Sequence, residues 1–196
     1  MATKRAPQKS AKTKKTTKPR LSAALKKQQT VKSQLRAVKP GSLILVHFVE
    51  RQLEGWMFTR EHWPLHISLV SWFEADDEEA IFRSLERLAG DTAPMILQVG
   101  GQEKFGVKKD VPVNIIKNQA PIHKLHENIL STLEGADITL HENSFSRGKY
   151  RAHITRYTRD GRHSNDGERV IVNDFHLVRL LKDNTCIVEQ AFDLLG

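Results

Sequence analysis

The sequence predicts an α+β fold built on antiparallel sheet, and three observations carry that prediction. Several short runs are rich in Val, Ile, Leu and aromatic residues, the composition of strands. Two segments carry apolar residues at helical spacing between start and stop signals. Successive strand-like runs are joined by turns too short for the crossover that a parallel pair needs.

The elements follow in order. Residues 1–20 are mostly Lys, Thr, Ala and Pro without an apolar period and read as a disordered tail. Residues 21–38 carry a weak helical spacing at Leu21, Ala24, Leu25, Val31 and Leu35, and Lys39-Pro40-Gly41 breaks whatever precedes it. Residues 42–49 are apolar almost throughout and predict a central strand. Residues 50–61 read as a loop with some order around Trp56-Met57-Phe58, and a strand follows over residues 63–72. Asp76-Asp77-Glu78-Glu79 places acids where a helix dipole favours them, and the helix runs to about Ala89 with Ala80, Ile81, Leu85 and Leu88 inward, stopped by Gly90.

A strand is expected at 94–99, then Gly100-Gly101 and a loop to Asp110, then a strand at 111–116 whose Pro112 has no N–H for a ladder bond. Residues 121–133 predict a helix with Pro121 in its first turn and Ile122, Leu125, Ile129 and Leu133 inward. A strand over residues 150–157, a polar loop at 160–167 and two long strands at 169–181 and 185–194 complete the order, with Asp183-Asn184 as the hairpin turn.

Charge divides the chain into a tail, residues 1–40, and a domain, residues 41–196. Residues 1–39 hold 13 Lys or Arg and no acid, whereas the remainder holds 18 Lys or Arg against 23 Asp or Glu, a net of about −5. The basic character thus belongs to the tail, which suits phosphate contacts to RNA without sequence preference, or equally a solvated extension that aids solubility. A mitochondrial transit peptide is a third reading, weakened because the tail is rich in Lys rather than Arg. The single cysteine, Cys186, allows no internal disulfide and fits a reducing compartment, the cytoplasm. No apolar run is long enough to span a bilayer and the N-terminus lacks the apolar block of a secretory signal, so no membrane partner is expected.

Two stretches share one chemistry. Trp63-Pro64-Leu65-His66-Ile67-Ser68-Leu69 and Tyr150-Arg151-Ala152-His153-Ile154-Thr155-Arg156 each hold a histidine, an isoleucine and a hydroxyl residue. Side chains alternate along a strand, so His66 shares a face with Ser68, and His153 with Thr155, while Ile67 and Ile154 turn to a core. Two strands presenting an imidazole and a hydroxyl apiece suit acid–base work on an anion: one His takes a proton, the other gives one, and the hydroxyls hold the charge between them. The same parity puts Arg151, Tyr157 and Trp72 on those faces, where they reach phosphate or stack on a base. Phe105, in its Gly-flanked loop, is a further stacking residue. Arg147 and Lys149 add positive potential at the cleft mouth, although each also suits a solvated surface.

Metal constellations are weaker. Pro64 disfavours a helix that would pair His62 with His66. His123, His126 and Glu127 share a predicted helix but lack a further ligand at useful spacing. Gly100-Gly101 with Gly106 matches neither phosphate-loop fingerprint.

The paired motifs His66-Ile67-Ser68-Leu69 and His153-Ile154-Thr155-Arg156 resemble those of the two-histidine (2H) phosphoesterase superfamily, which includes the 2′-5′ RNA ligase-like proteins and cyclic phosphodiesterases. The resemblance covers the chain from about Leu43 to its end and leaves out the tail. It departs from the pattern in having Leu65 and Ala152, rather than proline, directly before each motif His, and Ser68 in place of the commoner Thr. The resemblance implies two pseudo-symmetric lobes of antiparallel sheet with flanking helices around a central cleft, no metal and no cofactor. It also implies a 2′,3′-cyclic phosphate or 2′-5′ phosphodiester of RNA ends or nucleotides as substrate, hydrolysed or, in reverse, joined. His153 would activate water, His66 would protonate the leaving ribose oxygen, and Ser68 and Thr155 would bond the non-bridging oxygens. A monomer is expected. A non-catalytic RNA-binding module gripping through its tail is the reading of another class.

Overall fold

The computed structural model describes residues 38–106, 108–136, 138–141 and 146–196. The weak helical spacing at residues 21–38 falls almost wholly outside them, as does the tail. Ala37–Gly196 form one compact unit.

The elements run β1 (Leu43–Phe48), β2 (Met57–Thr59), β3 (His66–Ala75), α1 (Glu78–Gly90), β4 (Met95–Phe105), β5 (Val111–Ile116), α2 (Gln119–Glu134), β6 (Ile138–Leu140), a 3₁₀ turn (Arg147–Lys149), β7 (His153–Thr155), β8 (Arg169–Val172), β9 (Asp174–Leu180) and β10 (Thr185–Asp193). The strands join in the order β2-β10-β9-β1-β3-β7-β5-β4-β8, with β6 on β3, and the pairings are antiparallel. This is the α+β architecture expected: an open, antiparallel sheet with two helices. Its two halves join at β3 and β7 through one residue pair, Ile67 opposite Ile154.

The helices cover one face of the sheet. Ile81, Leu85 and Ala89 of α1 and Ile122, Leu125, Ile129 and Leu133 of α2 pack with Leu43, Leu45, Ile67, Leu69, Ala152 and Ile154. A second cluster, Ile44, Val46, Phe48, Phe58, Trp63, Val178 and Val188, covers the opposite face of the first half. β1 is therefore buried on both sides, which is why its sequence is apolar without alternation. Each such side chain contributes roughly 1.5–3 kcal/mol on burial. Asp77 caps α1 by accepting the Ala80 N–H at 3.0 Å. Asn184 takes φ 66° at the hairpin between β9 and β10, the left-handed turn its position predicts.

Four expectations need correction. The strand predicted at 94–99 continues to Phe105 through Gly100-Gly101 by way of a bulge opposite β5. A Cβ on Gly100 would lie 2.9 Å from the Ile115 carbonyl oxygen, so the glycine marks a close backbone approach and not a loop. The strand predicted at 169–181 is two, β8 and β9, because its first part pairs with β4 and its second with β1 and β10. The strand predicted at 150–157 is only His153–Thr155, entered from a 3₁₀ turn. β6 was not foreseen.

Candidate active site

β3 and β7 set the geometry. With Ile67 opposite Ile154 in an antiparallel pair, His66 falls opposite Thr155 and Ser68 opposite His153. Ile67 and Ile154 are fully buried against the helices, so these four side chains share the other face. The two imidazoles stand on the diagonal of the square, where Cβ atoms are about 7–8 Å apart. That spacing leaves room for one tetrahedral anion between them.

The two histidines are held alike. Nδ1 of His66 lies 2.8 Å from the Pro64 carbonyl oxygen, and Nδ1 of His153 lies 2.8 Å from that of Arg151. A carbonyl only accepts, so each Nδ1 carries the proton and donates it, and each Nε2 is left with its lone pair. An aromatic ring flanks each imidazole at 4.7 Å between centroids, Trp63 for His66 and Phe105 for His153. Burial, with the neighbouring His153 adding to it, pushes the His66 imidazole down to about 4 against the pull of its carbonyl bond. Burial lowers His153 as well, and the Arg151 charge adds to this. Among the described residues the Ser68 and Thr155 hydroxyls make no hydrogen bond to protein, which leaves them for a ligand.

β7 is short, so beyond the Ser68–His153 rung the edge of β3 is bare of strand until β6 pairs with it at Phe73. Side chains satisfy it instead. The Tyr150 hydroxyl donates to the Ser68 carbonyl at 3.0 Å, and His126 Nδ1 donates to that of Leu69. The His126 ring stacks on Tyr150, 3.9 Å between centroids, and its Nε2 accepts the Arg147 N–H. Both nitrogens of His126 are thus occupied, and among the described residues no group of three or more His, Cys, Asp or Glu is placed to hold a metal. The gap opens into a cavity of about 610 Å³ whose wall includes Ser68, His153, Phe105, Leu130, Tyr150 and Arg151.

Of the residues read from sequence, His66, Ser68, His153 and Thr155 are brought together, with Phe105 and Arg151 beside His153. Arg151 is tied by two hydrogen bonds to Glu103 and lies over the Phe105 ring. Trp72 and Tyr157 pack on the second apolar cluster, which borders His66 through Trp63: Trp72 lies against Trp63 and under Arg60, Tyr157 under Arg162. Trp72 keeps the predicted face, because the two register shifts of β3 against β1 cancel before Phe73, but its ring meets Trp63, which itself lies against His66. Tyr157 lies past the end of β7, where the chain turns back and bridges to Arg162. Trp63 and Tyr150 were not read as site residues. Each begins its motif's stretch, but nothing local shows that the chain folds a ring back over the next turn.

Known proteins fit this arrangement. Residues 49–166 match the family model of the 2′-5′ RNA ligase superfamily. No curated protein matches the chain by sequence. Among solved structures, the apo form of Escherichia coli LigT is similar with a TM-score of 0.55 and 14% identity, over 81% of this chain and 99% of that one. LigT complexed with 3′-AMP gives 0.52 and 14%, over 81% and 100%. TT0787 of Thermus thermophilus gives 0.51 and 20%, over 79% and 98%. At such identities the structures speak for the fold alone. The matched span holds both histidine motifs and more than half of the chain, and on that ground the protein belongs to the 2′-5′ RNA ligase superfamily of two-histidine phosphoesterases.

Proposed function

We propose that the protein is a metal-independent phosphodiesterase that opens a 2′,3′-cyclic phosphate or cleaves a 2′-5′ phosphodiester of RNA or nucleotides. The observation that carries this reading is the square of two imidazoles and two hydroxyls on one sheet face, each imidazole fixed with Nδ1 donating to a carbonyl, which leaves Nε2 to take or give the proton. Water attacks phosphorus, and one Nε2 takes its proton. The bond from phosphorus to a ribose oxygen breaks, and the other imidazole, protonated at Nε2, supplies the proton that oxygen needs. Ser68 and Thr155 donate to the non-bridging oxygens as charge grows on them. One water is consumed and a ribose phosphate monoester results. LigT, which has this fold, has been captured with 3′-AMP, a monoester of that kind.

The test is turnover of a nucleoside 2′,3′-cyclic phosphate in excess chelator, with the product identified. His66→Ala and His153→Ala should each lower kcat by about 10²–10⁴-fold. Activity that requires a divalent ion, or that survives both substitutions together, overturns the reading. The superfamily's name favours a second reading, 2′-5′ joining of RNA ends. It is the same proton traffic reversed, and it is tested by incubating a cyclic phosphate end with a 5′-hydroxyl end. RNA binding with steep salt dependence and no product from any ester would instead mark a non-catalytic module.

A further inference from the structure

The cavity beside the His pair is far larger than a phosphate requires. Its volume, about 610 Å³, lies within the range of about 300–1,000 Å³ typical of pockets that enclose an organic ligand. It begins at the Ser68–His153 rung and extends away from the His66–Thr155 rung, between the free edge of β3, the end of the β4–β5 hairpin and α2. Its wall is largely apolar and aromatic, with Phe105, Val111, Leu130, Leu140 and Tyr150 contributing rings and branched chains.

The cations around it fall into two sets. Arg151 is paired with Glu103, and Arg147 with Glu127 and Glu134. Lys104, Lys109 and Lys149 also line the cavity, and among the described residues their ammonium groups have no ion pair and no hydrogen bond. Beyond the tail the chain carries an excess of acid, 23 Asp or Glu against 18 Lys or Arg. Lys108, Lys124 and Lys182 also lack ion pairs among the described residues, so what sets these three apart is that they share the wall of one cavity, next to the His pair. An anion with more than one charged group explains them.

We propose that this cavity receives the nucleoside bearing the reacting phosphoester, and that Lys104, Lys109 and Lys149 hold the next phosphate of the chain to which that nucleoside belongs. The ligand class is then the end of an RNA strand, not a lone nucleotide. The proposal rests on the phosphodiesterase reading and narrows it. The base meets the ring and aliphatic wall, where stacking is tolerant of sequence. The reacting phosphate sits in the square. The preceding phosphodiester reaches the lysine rim. A nucleoside 2′,3′-cyclic phosphate fills the first two places and leaves the rim empty.

The experiment compares kcat/KM for adenosine 2′,3′-cyclic phosphate with that for the dinucleotide ApA ending in the same cyclic phosphate. The full chain should favour the dinucleotide by tenfold or more, and the variant carrying Lys104→Gln, Lys109→Gln and Lys149→Gln should bring the ratio close to one. A ratio near one in the unaltered protein, or a ratio that survives the triple substitution, overturns the proposal. A contribution from the basic tail is present in both proteins and so does not produce the difference between them. If neither ester is turned over, the phosphodiesterase reading has failed and the subsite is judged by binding. Affinities for 3′-AMP and for ApA 3′-phosphate should then show the same preference and the same loss, and equal affinities overturn it.

Discussion

At the scale of the residue, what matters is which proton each imidazole holds. Both Nδ1 atoms are committed to a carbonyl, so acid–base work falls to Nε2. Burial lowers both rings, His66 to about 4. A base must be neutral, and a lowered pKa keeps it neutral as pH falls, until the pH crosses that lowered value. An acid must be protonated, and a lowered pKa removes that proton at a lower pH than in free imidazole, whose value is about 6.5. Both limbs of the bell therefore move in the acid direction. The maximum of kcat/KM, which reports the free enzyme, should fall between about 4 and 6.5. A phosphate anion bound between the rings favours their charged forms, so the kcat profile should lie at higher pH. A kcat/KM maximum above neutrality would show that these rings do not set the profile.

The cavity also bears on which ring does what. If the nucleoside lies beyond the Ser68–His153 rung, its departing oxygen is on the side of His153, and in-line attack brings water past His66. That gives His66 the base role in hydrolysis and reverses the order that the resemblance implies. A cyclic phosphate with sulfur in place of the departing ribose oxygen needs no proton to leave. It should restore activity to His153→Ala by more than to His66→Ala. Restoration of His66→Ala instead would return the roles to the other order.

At the scale of the element, the catalytic geometry depends on a strand of three residues. β7 is too short to hold its own register, and its neighbours hold it: Val113 opposite Thr155, Asn114 opposite Ile154 and Ile115 opposite His153. Asn114 is buried, donates to the Gly100 carbonyl at the β4 bulge and accepts from the Arg156 guanidinium, which follows β7 directly. Asn114→Ala would leave a buried carbonyl and a charged donor without their partner. It should cost about 1–3 kcal/mol in denaturant unfolding and lower kcat more than it raises KM, because the displaced rung carries His153. Unchanged stability would mean that water replaces the amide. These dependences also mark what the sequence can reveal. His66, Ser68, His153 and Thr155 were legible because period-two alternation is local, and the helices because their caps and stripes are local. The break between β8 and β9 has no local signal, since it arises from a change of partner strand. The two bulges of β3 are likewise invisible from one strand; they cancel before Phe73, so Trp72 stays on the expected face, where Trp63 contacts both it and His66. Lys104 and Lys109 were missed because their role depends on a hairpin end meeting α2 and the β3 edge across the fold.

At the scale of the whole molecule, the chain places positive charge in two separate settings. The domain is acidic overall and sets three of its unpaired lysines around one cavity, whereas residues 1–39 hold 13 Lys or Arg and no acid. The three cavity lysines act at short range on one phosphate of a bound end. If the tail grips RNA it acts on many phosphates without regard to position, and its pull should fade with salt by a slope of about −0.7 for each phosphate it neutralises on single-stranded RNA. The two contributions are therefore separable by substrate length and ionic strength. Replacing the tail lysines by glutamine should leave turnover of a nucleoside 2′,3′-cyclic phosphate within about twofold, because a mononucleotide offers the tail no run of phosphates to neutralise. The same change should weaken binding of a twenty-nucleotide RNA at low salt and flatten its dependence on salt. If the long RNA binds with the same slope after the tail is neutralised, its grip lies in the domain, and the 13 tail cations serve some purpose other than RNA affinity.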